Sequence, residues 1–200
     1  QALEDANENA NAQNVAVGYQ AALNLSTGAY NTALGTQAIG NGVTTGDWNV
    51  AVGQGAGYAL TSGESNTLLG GNAGVAITTG DNNTFIGKEA GSSTTDVDLA
   101  VIIGYGAGAA NMTSGADGTI AIGKQALEDL TSGSGNVAVG YQSLANVVGG
   151  SHNTAIGYDA LVTAAGNASH NTAVGRDALK THNVDGDGNN TAIGSEAGTA

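Results

Sequence analysis

The stretch Asn153-Thr154-Ala155-Ile156-Gly157-Tyr158-Asp159-Ala160-Leu161 decides the fold, because versions of its first five residues return throughout the chain. They begin at Asn14, Asn31, Asn49, Asn66, Asn83, Ala100, Thr119, Asn136, Asn153, Asn171 and Asn190. Successive spacings are 17, 18, 17, 17, 17, 19, 17, 17, 18 and 19 residues. A unit this short cannot enclose its own apolar residues, so each repeat must be covered by its neighbours, which makes the chain a solenoid of about eleven coils. The whole of 1–200 reads as one repeat array. With the asparagine taken as position one, the signature glycine falls at position five.

One coil reads as a short β-branched strand bounded by glycine, a turn, and a second short strand around Ala160, with too much Gly and Asn for a helix. The rest of each period is turn chemistry, as in Thr45-Gly46-Asp47, Thr61-Ser62-Gly63-Glu64, Thr79-Gly80-Asp81 and Thr131-Ser132-Gly133-Ser134. Differences in repeat length sit in these turns. Within the strand, Thr154 and Ile156 point to one face and Ala155 to the other. Both faces are apolar. Position two is Thr in six repeats, Val at Val15, Val50, Val101 and Val137, and Ile at Ile120. Position four is always Val, Ile or Leu, and position three is Ala in eight repeats. A lone solenoid buries only its inner face, so an apolar second face implies a second packing partner, most economically another copy of the chain.

Composition narrows the class of function. Thirty-four glycines, no proline and 4% aromatics in 200 residues cannot fill a conventional globular core, yet the fixed apolar spacing excludes a flexible linker. Seventeen acidic residues against four basic ones give a net charge of −13, which repels nucleic acid and anionic lipid. Without cysteine there is neither a disulfide brace nor a thiolate. No window approaches the length of an apolar membrane span, and no basic-then-apolar signal segment opens the sequence. Gln1-Ala2-Leu3-Glu4-Asp5 matches Gln125-Ala126-Leu127-Glu128-Asp129 inside a repeat, so the chain is expected to be an excerpt of a longer array.

Three columns make specific structural predictions. Glycine holds position five in every repeat, where a side chain would clash with a neighbouring backbone or demand a positive φ. Asparagine holds position one in nine repeats, so stacking builds an asparagine ladder, each amide bonding its counterpart in the next coil. At a strand spacing of roughly 4.8 Å per coil, the rod is on the order of 50 Å long. Position three departs from Ala at Leu68, Phe85 and Ile102, while Gly57, Gly74, Gly91 and Gly108 stand where the later repeats mostly carry Leu. Compensated packing between those columns follows if they share one volume.

The segments Asn-Val-Ala-Val-Gly-Tyr-Gln-Ala (14–21) and Asn-Thr-Ala-Ile-Gly-Tyr-Asp-Ala (153–160) resemble the head repeats of YadA-type trimeric autotransporter adhesins. They are also similar to the Asn-Thr-Ala-x-Gly-Tyr-x-Ala-Leu arrays of phage and virus tail-fibre proteins. The resemblance covers residues 14–198. It implies a left-handed parallel β-roll, all-β, with three chains side by side as a homotrimer in an extracellular or virion-borne fibre. The coils here are longer than in the adhesin head, and no coiled-coil stalk, membrane anchor or fibre chaperone domain is recognisable, which favours a tail-fibre-like shaft. The expected role is a structural shaft supporting attachment to a host or surface. The alternative is an adhesin head that itself binds a glycan or matrix ligand.

Position six concentrates Tyr19, Lys88, Tyr105, Lys124, Tyr141, Tyr158 and Arg176, a row suited to stacking against cell-surface sugars, or simply a tolerant exposed column of amphipathic side chains. Asp185-Gly186-Asp187-Gly188-Asn189 has the alternating oxygens of a calcium loop, with Glu196 at the closing spacing. Asn190 then enters a strand rather than a helix, and an acidic surface turn is the plainer reading. His152 and His170 precede consecutive asparagines and are expected to stack, with a metal ring in a trimer as the sharper alternative. The threonines Thr32, Thr67, Thr84, Thr154, Thr172 and Thr191 raise an ice-binding grid, which the Val and Ile substitutions interrupt. A polysaccharide-cleaving spike would need paired carboxylates in a cleft, and the acids lie in loops and the outer column. No catalytic residue, resident metal or cofactor is expected.

Overall fold

The structure, a computed structural model, describes residues 13–163, 166–181 and 187–199. The match at Gln1 to Asp5 lies outside the described residues. Positions two to four of every repeat form a three-residue strand, from β1 (Val15–Val17) and β2 (Thr32–Leu34) to β10 (Thr172–Val174) and β11 (Thr191–Ile193). The eleven strands make one parallel sheet in sequence order. Pairing is column on column, Val15 with Thr32, Ala16 with Ala33 and Val17 with Leu34, and likewise to Thr172 with Thr191. Register holds although repeat lengths differ, because the extra residues are absorbed in turns; a 3-10 turn at Ser114–Ala116 falls in the long repeat that opens at Ala100.

The second strand expected around Ala160 is absent. Tyr158 to Thr163 instead form consecutive turns, because Asp159 (φ 51°) and Leu161 (φ 54°) are left-handed and interrupt any extended run. Inter-coil bonding nonetheless continues through this corner. The Asp159 N–H donates to Tyr141 O at 2.9 Å and the Leu161 N–H to Ala178 O at 2.9 Å, while the Ala160 N–H turns back to Gly157 O. A third left-handed corner precedes each asparagine, as at Trp48 (φ 63°) and His152 (φ 57°). Left-handed non-glycine residues cost about 1–2 kcal/mol each, and the cross-coil bonds on either side over-determine the conformation.

Inside the coil, positions three and eight pack with the aliphatic residues that follow, so the core is a column of alanines, Leu60, Ile77, Leu130 and Val147 among them. Its bulk is redistributed in the middle of the rod. A Cβ on Gly57 would lie 2.7 Å from Leu68 Cδ1, and one on Gly74 would lie 2.9 Å from Leu68 Cδ2 and 3.1 Å from Phe85 Cδ2. On Gly91 it would meet Phe85 Cδ2 and Cε2 at 2.7 Å, and on Gly108 it would meet Ile102 Cδ1 at 3.0 Å. Positions three and nine therefore fill one volume. Where position three is Ala121, Ala138, Ala155 or Ala173, position nine is Leu127, Leu144, Leu161 or Leu179, all buried.

The asparagine ladder is denser than amide-to-amide bonding alone. Asn66 Oδ1 accepts both the backbone N–H and the Nδ2–H of Asn83, each at 3.0 Å, and Asn66 Nδ2 donates to Asn49 Oδ1 at 3.0 Å and to Gly80 O at 2.7 Å. Each buried amide thus ties the strand entry of one coil to the turn of the next. The ladder stops at Ala100, whose N–H donates to Asn83 Oδ1 but which has no side-chain amide to offer the next coil. Above it, Thr119 Oγ1 is buried with no partner, an orphan that the missing amide of Ala100 explains.

Candidate functional surfaces

The pleat sends position three inward and positions two and four outward. That outer face has only Thr, Val, Ile and Leu in its two columns along all eleven strands. Its position-four residues are open to solvent at Val17 (56%), Leu34 (45%), Leu69 (44%) and Ile193 (72%). Its length is roughly 50 Å at the parallel-strand spacing. A contiguous apolar strip of this kind is the surface that marks an interaction site. Position two supplies the threonine column, half-buried at Thr67, Thr84, Thr154 and Thr172 and interrupted by Val101, Ile120 and Val137.

Position six forms one border of this face. Of the residues the sequence singles out there, Lys88, Tyr105, Lys124, Tyr141, Tyr158 and Arg176 occupy six successive coils, and Tyr19 stands apart, with Thr36, Gln54 and Gly71 between. Lys88 Nζ lies 5.5 Å from the Tyr105 ring centroid, Lys124 Nζ lies 5.9 Å from Tyr105 and 5.5 Å from Tyr141, and Tyr141 stacks on Tyr158 at 4.9 Å. From Lys88 to Tyr158 the row is thus a continuous cation–π and aromatic stack running along the rod. Ring faces of Tyr105 and Tyr141 are turned to their neighbours in the row, leaving edges, hydroxyls and ammonium groups for a ligand. Glu89 hydrogen-bonds Lys88 at 3.1 Å and raises its pKa through that bond and its charge. Arg176 pairs with Asp177 at 3.2 Å and with Glu196. Lys180, just off the row, bridges Asp159 and Asp177 at 2.8 Å each, and those two carboxylates raise its pKa.

Position zero, the residue before each asparagine, forms the opposite border. Here the structure brings together a pair that the sequence reading did not single out: Tyr30 and Trp48 stack at 4.0 Å with an 8° interplanar angle, both exposed. The signal available was their shared place before Asn31 and Asn49, the same relation that identifies the histidines. His152 and His170 do stack, at 5.2 Å and 4°, and His170 Nδ1 lies 3.0 Å from Asp187 Oδ1.

One position earlier runs an acidic column, Asp47, Glu64, Asp81, Asp98 and Asp117 in five consecutive coils. Four of these carboxylates hold the preceding turn. Oδ1 of Asp47, Asp81, Asp98 and Asp117 accepts the backbone N–H of Ala29, Glu64, Asp81 and Asp98 respectively, at 2.7–2.9 Å. These bonds give the column a local role, since each carboxylate satisfies a backbone N–H of the preceding turn.

Asp185 and Gly186 of the calcium-loop reading lie outside the described residues. Of its other members, Asp187 faces His170 and Glu196 faces Arg176. Among the described residues no group of three or more His, Asp or Glu side chains is placed to hold a metal ion, and no pocket opens. Among the described residues no helix is long and apolar enough to cross a membrane. No known protein family, curated protein or solved structure matches the chain.

Proposed function

We propose that this chain is a structural shaft segment of a trimeric extracellular or virion-borne fibre that supports attachment, its copies associating through the outer sheet face. The observation that carries the reading is that face: eleven in-register strands present Val, Ile, Leu and Thr where a solenoid standing alone would present polar groups. The resemblance of the Asn-Thr-Ala-Ile-Gly-Tyr repeats to fibre arrays whose chains lie side by side supports three copies. A rod in which successive coils are bonded through their backbones, with asparagine and aspartate ladders along part of its length, suits spacing and stiffness. The net charge of −13 keeps assembled shafts apart in solution.

Replacing Ile103 and Ile122, outward neighbours at position four in β6 (Val101–Ile103) and β7 (Ile120–Ile122), by lysine tests the face. The expected outcome is a fall to the mass of one chain in sedimentation velocity with an unchanged far-ultraviolet circular dichroism spectrum. An oligomer that persists through both substitutions removes the outer face from the account.

A further inference from the structure

The column before each asparagine leaves one aromatic face uncovered. Tyr30 (φ 60°), Trp48 (φ 63°), Ser65 (φ 58°), Asn82 (φ 58°) and Leu99 (φ 58°) share one left-handed corner in five consecutive coils, so their side chains leave the rod in parallel. Tyr30 covers one face of the Trp48 indole, with ring centroids 4.0 Å apart. On the other side stands Ser65, whose side chain ends at its hydroxyl, and Trp48 remains 57% exposed. The next longer side chain in that direction belongs to Asn82, two coils from Trp48. Two coils span about 10 Å at the strand spacing, and a planar group in contact on both sides takes about 7–8 Å. Ser65 is thus the floor of a slot that admits one flat group against the indole.

A carboxylate stands at the height of that slot. Glu64 precedes Ser65 in the same coil and is exposed. Asp47, Asp81, Asp98 and Asp117 each accept a backbone N–H of the preceding turn. Glu64 is one methylene longer, and among the described residues its carboxylate has neither a hydrogen bond nor an ion pair. Asp47 and Asp81 flank it in the coils on either side. The basic side chains are elsewhere: Lys88, Lys124 and Arg176 at position six on the other border, and Lys180 bonded to Asp159 and Asp177.

We propose that this slot binds a guanidinium group, the side chain of an arginine on a partner protein. A guanidinium is flat, so it lies on the open indole face at the level of Ser65. Its N–H fork then points along that plane, where Glu64 of the same coil accepts two parallel hydrogen bonds. A lysine ammonium carries the charge but has no face to stack and no fork. A neutral ring would stack and leave Glu64 unpaired, and an anion is repelled by Asp47, Glu64 and Asp81 together. Arg176, the one arginine of the chain, is held by Asp177 and Glu196 in the coil that opens at Asn171, so the guanidinium comes from another protein. Every group in the slot belongs to one copy of the chain.

Trp48 is the one tryptophan of the chain, so its fluorescence reports the slot directly. Titrating the full chain with N-acetyl-arginine amide is expected to change the emission to saturation, with a Kd on the order of 1 mM. N-acetyl-lysine amide is expected to bind about tenfold more weakly, and Glu64→Gln to weaken the arginine compound about tenfold. Ser65→Leu fills the slot and is expected to abolish saturation. It keeps the fold, because Leu99 already occupies the same corner at the same φ of 58°. A response that never saturates, with equal slopes for the arginine and lysine compounds, overturns the proposal. So does an unchanged affinity in Glu64→Gln, and so does tetramethylammonium binding as tightly as the arginine compound, since the slot would then select charge rather than a planar fork.

Discussion

Gly104→Ala unfolds the centre of the rod. Gly104 has φ 135°, outside the range an L side chain ordinarily adopts, and a Cβ there would lie 2.4 Å from Gly123 O and 2.6 Å from Gly123 C in the next coil. Neither backbone can retreat, because the Gly104 N–H is bonded to Ile86 O at 2.8 Å and the Gly123 N–H to Ile103 O at 2.7 Å. Overlap and strain together exceed the 4–5 kcal/mol that marks an exceptional substitution, and a quasi-one-dimensional stack has no distant contacts to share the loss. Gly194 provides the control. Its φ is 127°, but the nearest atom to its Cβ is Ala197 Cβ at 3.9 Å, so Gly194→Ala carries only the backbone strain, about 1–3 kcal/mol. Guanidinium unfolding followed by circular dichroism separates the two. Equal losses for the two variants would show that inter-coil overlap does not restrict this column.

The second large effect is expected at Phe85 and Gly91. Phe85→Ala empties the most voluminous fully buried side chain of the rod and costs about 3–5 kcal/mol. Gly91→Leu alone drives a side chain into the Phe85 ring, 2.7 Å from the new Cβ, and destabilises by about 1–3 kcal/mol or more. The double variant recreates the arrangement of Ala155 with Leu161. Leu161 accepts φ 54° and Gly91 already has φ 59°, so leucine fits the corner. Combined, the two substitutions are expected to recover most of the single losses, with a coupling of about 2 kcal/mol or more in a double-mutant cycle. Additive losses would mean that positions three and nine do not share a volume.

What the sequence disclosed and what it hid have distinct physical origins. The glycine column and the in-register sheet were legible because inter-coil contact at position five excludes every side chain, so the chemistry repeats without exception. The compensation around Phe85 was legible because bulk changed in two columns over the same coils. The turn from Tyr158 to Thr163 was misread as holding a second strand because Ala160 and Leu161 are apolar and adjacent, and nothing about a leucine announces a left-handed corner. The Tyr30–Trp48 stack was hidden because position zero also holds Ser65, Asn82 and Leu99, so no residue type marks the column. For the Lys88 to Arg176 row, spacing identified the members but not that Tyr105 and Tyr141 turn their ring faces to neighbours.

The outer face acquires meaning only beside further copies, since eleven in-register strands of Val, Ile, Leu and Thr are an uncovered strip on an isolated chain. The absolute mass of the unmodified chain, by light scattering after size-exclusion chromatography, therefore tests the account most directly: it predicts three times the 19.3 kDa of one chain, and a single species at 19.3 kDa would contradict it.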